Sequence, residues 1–250
     1  MQHKLKKLFY LFVGVVALSS LTIKNAAAGA DEEKELLKKQ AASAEVIAAF
    51  KELKAAADKI GPENSLDIPT AKTAVETYYK DEFGKEYEKK NGGNKPPFLD
   101  AVIGELTPEQ IAAQYYYISK NTNPLGSKHL LDKSDDKSTY SAAHGKIHPV
   151  LRKVLDDNGL YDIFLVEPNG RNIYTVYKEL DFFDSYSTGH NATSGLGKAF
   201  QLALKAKKGE VVESPVEKYN FSYDVLALFI GAPIYDGDTL LGVMLMQVNP

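Results

Sequence analysis

The sequence predicts an α+β chain in which an antiparallel sheet flanked by helices follows a long helical N-terminal extension. Three observations carry that reading. Up to Gly159 the chain alternates runs of helical period with Gly and Pro breakers. From Tyr161 to Val248 it reads as strand, turn, strand, helix and closing hairpin. Its last strand, LLGVMLMQV, carries Leu241, Val243 and Leu245 on one face and Leu240, Met244, Met246 and Val248 on the other, as a strand in the middle of a covered sheet does.

The N-terminus comes first. His3, Lys4, Lys6 and Lys7 precede the apolar run LFYLFVGVVALSSL, and small residues then lead to the acidic Asp31. This is the pattern of a secretory signal peptide, with Ala26-x-Ala28 or Ala28-x-Ala30 as cleavage site. Leu21 to Ile23 lengthen the run towards the roughly 20 apolar residues of a membrane span, so residues 1–30 are expected to be a cleaved leader or, as the alternative, an uncleaved anchor.

Residues 31–60, rich in alanine and charge, place Leu36, Leu37, Ala41, Val46, Ile47, Phe50 and Leu53 at helical spacing and stop at Gly61-Pro62, which predicts one long amphipathic helix. A second helix is expected over about 70–90, carrying Tyr78, Tyr79 and Tyr87. A third opens at Thr107-Pro108, where threonine can cap and Gln110 can complete a capping box, and is expected to stop near Asn123-Pro124. The polar stretch 125–138 reads as a surface loop. His148-Pro149 starts the next helix, which ends at Asn158-Gly159.

In the sheet region, YDIFLVEP and NIYTVYKELDF are strands joined at Asn169-Gly170. A helix begins near Thr193 or Ser194, and the final hairpin turns at Asp236-Gly237, a pair favoured where both central residues take positive φ.

Composition narrows the function. The formal net charge of −3 gives no cationic surplus for phosphates, so no nucleic-acid partner is expected. With no cysteine there is no disulfide, thiolate metal site, cysteine nucleophile or c-type haem attachment. Ser194-Gly195-Leu196-Gly197 is not a nucleophile elbow, because the serine opens a helix and lacks the preceding glycine. No enzyme motif stands out and no cofactor is called for. His144 and His148 have the i, i+4 spacing of helical metal ligands, but Pro149 disfavours helical geometry at His148, so capping or surface roles are expected and no metal is assigned.

The runs QYYYISKNTNPLGSKHLLD, STYSAAHGKIHPVLRKVL, YDIFLVEPNGRNIYTVYKELDF and FIGAPIYDGDTLLGVMLMQVNP resemble the extracytoplasmic Cache sensor region of bacterial chemotaxis receptors, histidine kinases and membrane nucleotide cyclases. The resemblance spans about residues 110–250. Its most specific parts are Tyr174-x-Val176-Tyr177-Lys178-Glu179-x-Asp181-Phe182 and the terminal strand pair. It implies a PAS-like antiparallel sheet that binds a small molecule and passes a signal through a membrane. The expected organisation is then a leader or anchor at 1–30, a helical region at 31–125 and the PAS-like domain at 126–250.

The expected function is non-enzymatic small-molecule sensing, periplasmic or secreted after cleavage, or facing the periplasm from an inner-membrane anchor. The alternative is a secreted structural or interaction protein with a ligand-free fold of the same type. Besides the ligand, the expected partners are a membrane receptor or a second copy joined through the N-terminal helix.

A pocket in such a sheet lies beneath the connection that leaves the second strand, where a few polar groups on an apolar wall orient a ligand. The candidates are Tyr174, Tyr177, Lys178, Asp181, Tyr186 and Tyr223. The competing reading is core tyrosines with wet hydroxyls and a surface Lys178–Asp181 ion pair.

Overall fold

The computed structural model describes the backbone from Ser20 to Pro250 and the side chains from Asp31 onward. The basic residues and most of the apolar run of the expected leader lie outside the described residues. Among the described residues no helix is long and apolar enough to cross a membrane.

The single helix expected over 31–60 is two, α1 (Ser20–Ala41) and α2 (Ala44–Ala56). Ser43 breaks it. Its backbone is extended and its Oγ accepts the N–H of Val46 at 3.2 Å, so a serine preferred at N-caps outcompetes continuous helix. The break lets Leu37 on one segment and Val46, Phe50 and Leu53 on the next all reach the core. Fully burying side chains of this size contributes about 1.5–3 kcal/mol each.

The helix expected over 70–90 is present as α3 (Ile68–Tyr78), capped by Asp67, and α4 (Lys85–Lys90), joined by a π-helical turn at Tyr79–Gly84. That wider turn buries Tyr79 and Phe83. A short helix that the sequence reading left unassigned follows, α5 (Leu99–Glu105). α6 (Pro108–Gln114) opens at the expected cap, with Thr107 Oγ1 accepting the N–H of Gln110, but the Gln110 side chain does not reach back to complete the capping box. It widens into a second π turn at Tyr115–Ser119 and ends before Asn123, because the Asn121 amide bridges the carbonyls of Tyr117 and Lys128.

Two expectations fail between residues 125 and 148. The stretch taken as a surface loop buries Lys128, His129 and Ser134 around a 3-10 turn at Lys128–Leu130. The following helix, α7, runs Thr139–Asn158 and carries Pro149 in its interior. Ser138 caps it, and Tyr140, Ala143, His144, Ile147, His148 and Leu151 are buried along it. Burial of that face outweighs the hydrogen bond lost at the proline. Gly159 ends the helix at φ 65°, as expected.

The sheet is antiparallel throughout, in the order β2-β1-β6-β5-β3, with β4 pairing the start of β5. Its strands are β1 (Asp162–Val166), β2 (Asn172–Thr175), β3 (Val212–Glu213), β4 (Glu217–Tyr219), β5 (Val225–Asp236) and β6 (Thr239–Val248). The apolar last strand is central, as its pattern predicts, and the α+β class is the one expected. Helix α8 (Gly195–Ala203) is shorter than its sequence suggests and is capped by Ser194. The hairpin turns one residue late: Asp236 pairs Thr239, and of the two central residues only Gly237 takes positive φ. That is the turn with glycine at its first central position rather than the doubly positive one.

Helices cover both faces. Gly231 lets Ala199 and Ala203 of α8 approach β5 on one. On the other, α2 packs Phe50 against Gly242 of β6, and α7 lies over Leu165 and Tyr174. A Cβ at Gly242 would overlap both the Phe50 ring and the Val166 carbonyl oxygen, and backbone cannot yield as a flexible side chain can. Gly242→Ala is therefore expected to lower the unfolding free energy by about 1–3 kcal/mol, read from the midpoint of urea denaturation at unchanged slope.

Candidate functional site

The site is built where the chain leaves β2. The strand was expected to continue through NIYTVYKELDF but stops at Thr175. Asp162, at the start of β1, is the reason. Its carboxylate accepts the N–H groups of Ile163 at 2.7 Å, Val176 at 2.9 Å and Tyr177 at 3.1 Å, together with the Thr175 hydroxyl. The chain then turns, with Lys178 at φ 60°. Lys178 is fully buried; its Nζ donates back to the carbonyls of Thr175 and Val176 and lies 4.9 Å from the Tyr174 ring centre. Burial pushes the Asp162 carboxyl up and the Lys178 amine down, each towards its neutral form.

Behind Lys178 stands a histidine cluster. His144 and His148 lie on one face of α7 with ring centres 4.6 Å apart, and both are inaccessible, so neither is the capping or surface residue expected. Carbonyl partners set their tautomers. His144 Nδ1 faces the carbonyl of Asp132 at 2.9 Å, and His148 Nε2 faces that of His129 at 2.8 Å, so these nitrogens carry the protons. His148 Nδ1 is left to accept from the Tyr174 hydroxyl at 2.8 Å, with Lys178 Nζ at 3.4 Å. Desolvation holds both imidazoles well below their ordinary pKa, and Lys178 adds repulsion.

The six sequence candidates separate into three places. Tyr174 is packed on the α7 face of the sheet. Asp181 and Tyr186 lie in the interior of the α8 face, where Tyr219 donates to Asp181 Oδ2 at 2.6 Å and Tyr186 packs against Phe164 and Phe200. Lys178 and Asp181 are both buried and form no pair with each other, which corrects the reading of them as a surface ion pair. Tyr177, Lys178 and Tyr223 line a cavity of about 10 Å³, room for roughly one water, walled by Tyr78, Phe83, Leu125, Gly126 and Leu180.

Lys128 and Glu179 complete that cavity, and the sequence reading missed both. Lys128 Nζ lies 5.2 Å from the Tyr78 ring centre and donates to the Asn121 carbonyl at 2.5 Å. The Glu179 carboxyl, desolvated and near Asp181 and Asp162, is held well above the usual carboxylate range. Gln114 fixes the floor: its amide donates to the carbonyls of Leu180 and Phe182 and accepts from the Tyr79 hydroxyl.

Chemically the cavity offers an amine and a protonated carboxyl on adjacent residues, Lys178 and Glu179, with the Lys128 amine opposite, inside an aromatic wall. Such a set orients a small charged molecule. Among the described residues no group of three or more His, Cys, Asp or Glu side chains could hold a metal ion.

No family model matches the chain, and no curated protein matches it. Among solved structures, the sensor domain of the V. cholerae histidine kinase DctB aligns at a TM-score of 0.35 and 13% identity, covering 67% of this chain and 56% of that one. The extracellular domain of the histidine kinase vpHK1S-Z8 aligns at a TM-score of 0.29 and 14% identity, covering 72% and 57% respectively. The chain thus spans less than two thirds of the length of either solved structure.

Burial and neighbouring carboxylates hold Asp181 well above the carboxylate range, so it stays protonated where the unfolded chain has ionised. A raised acid contributes stability that is complete below its unfolded pKa of about 3.9 and is lost as pH rises towards the folded value. Asp181→Asn, which mimics the protonated acid, is therefore expected to be at least as stable as the parent at pH 7 and to flatten the decline in stability above pH 4. Asp181→Ala leaves the Tyr219 hydroxyl unpartnered and is expected to cost about 1–3 kcal/mol. Urea denaturation across pH 4 to 8 reads all three proteins.

Proposed function

We propose that this chain is an extracytoplasmic, non-enzymatic Cache-type sensing module that binds a small charged molecule in the Lys178 cavity. The observation that carries the proposal is the placement of Lys178 and Glu179, adjacent in sequence, on an aromatic-walled cavity between the π turn of the second helical run, the 121–131 loop and the exit of β2. The desolvated amine of Lys178 and the protonated carboxyl of Glu179 make the site selective, because a ligand that leaves either polar group unmatched is penalised. The resemblance of residues 110–250 to bacterial sensor regions agrees with this reading, and so does the leader-like N-terminus, which suits a periplasmic location.

In this form the cavity has room for about one water, so a larger ligand needs the loop that carries Gly126 to move outward. That movement supplies the two arrangements a sensor requires: a ligand that prefers the open one shifts the balance towards it. A receptor or a second copy engaging the N-terminal helices would read the shift.

The close packing also favours a second reading, an interaction protein with a ligand-free interior. A thermal-shift screen with organic acids, amino acids, amines and purines separates the two. A ligand at about 100 times its dissociation constant should stabilise by roughly 2.7 kcal/mol. The sensing module predicts a hit that Lys178→Met, which keeps the aliphatic stem, and Tyr223→Ala both abolish. A folded protein with no hit, or a hit that both variants retain, favours the interaction protein.

A further inference from the structure

A second hollow of about 460 Å³ opens on the outer side of the 183–189 loop, between that loop, the start of α6 and the turn joining β1 to β2. Its volume is within the range of small-ligand sites, and it shares no lining residue with the Lys178 cavity.

Its charge is one-sided. Glu105, Glu109 and Asp184 line it; Glu105 also accepts the N–H of His190, and Asp184 the N–H of Ser185 and the Asn191 amide. The lining cation, Arg171, is already engaged, with Nε on Glu167 at 2.5 Å and Nη1 on Asp58. An electronegative concavity concentrates cations. A metal ion does not suit it, since among the described residues no three acidic or imidazole side chains converge closely enough to hold one. Separated carboxylates suit a cation with length.

An independent observation points the same way. Gln110 lines the hollow and is only 3% exposed, yet its side-chain amide has no hydrogen bond among the described residues. A buried residue's amide is normally paired within the protein, and the Gln110 amide instead keeps its small accessible surface towards the hollow. Here it faces the one part of its surroundings that a ligand can fill. Phe183, buried against Tyr140, supplies an apolar wall beside it.

We propose that this hollow is a binding site for a small organic cation, an alkyl amine with a second polar end. Glu109 and Asp184 attract its ammonium, the Gln110 amide hydrogen-bonds its other end, and the alkyl stem lies on Phe183. The site goes beyond the sensing function proposed for the Lys178 cavity and does not rest on it.

Calorimetric titration of the whole chain with 1,4-diaminobutane at low ionic strength tests the proposal, with butane-1,4-diol and succinate as matched probes. The expected result is saturable binding of the diamine, none of the other two, and a loss of five-fold or more in affinity on Glu109→Gln and on Gln110→Leu. Absence of diamine binding overturns the proposal. So does equal binding of succinate, or undiminished affinity in Glu109→Gln, a partly exposed position whose substitution does not threaten folding. Because the two sites share no lining residue, failure here leaves the Lys178 cavity to be judged by its own screen.

Discussion

The structure around the site depends on one buried carboxylate. Asp162 gathers three backbone N–H groups and a hydroxyl from both sides of the β1–β2 pair, and this ends the second strand. Hydrogen bonds to a charged group contribute about 1.5–3 kcal/mol, but only if the charge itself is offset, because an isolated buried ion is far more costly. Lys178 is the nearby cation that provides the offset, and the left-handed turn that Asp162 permits brings it there. The cavity, the exposed edge of Tyr177 and the placement of Glu179 all follow from the turn.

The interior is divided by the sheet into two polar districts that share no side chain. On the α7 face, His144 and His148 are tied to the carbonyls of Asp132 and His129, and the Tyr174 hydroxyl donates to His148 Nδ1. On the α8 face, Asp181 and Tyr219 form a neutral acid–phenol pair. Gln114 joins the helical region to the loop between them, so the helices before residue 125 are structural partners of the sheet's site loop. Polar groups tied in this way rigidify a core through bonds of defined direction, such as those of His148 to the His129 carbonyl and of Tyr219 to Asp181.

The four strands β1, β2, β5 and β6 were legible because period-two patterning and the Gly237 turn act locally, and because a strand apolar on both faces has only one stable place, at the centre; β3 and β4, two and three residues long, are too short to carry a period. The helices were legible wherever a cap coincided with a breaker, as at Thr107-Pro108 and Asn158-Gly159. Ser43 and Pro149 misled in opposite directions: one serine between alanines breaks a helix, while a proline survives in another whose buried face is strong enough. Of the cavity lining, Tyr177 and Lys178 could be read from the exit of β2, whereas Tyr223 comes to it from the turn between β4 and β5. Asp162 was open to recognition as a charge at the start of an otherwise apolar strand. Lys128 was not, since its burial comes from Tyr78 and Asn121, which periodicity does not connect to it.

The central position of β6 also sets the order of assembly. β1 and β2 can pair soon after they are made, but the inner edge of β1 stays unpaired until β6 arrives, and between β2 and β6 lie α8 and three strands. Closing a contact over that separation is slow compared with forming the helices. Until then Ile163 and Leu165 lie on a strand with an open edge, the kind of surface along which unfinished chains pair with one another. The same strand that makes the finished sheet stable therefore leaves the chain most exposed to aggregation just before it is inserted.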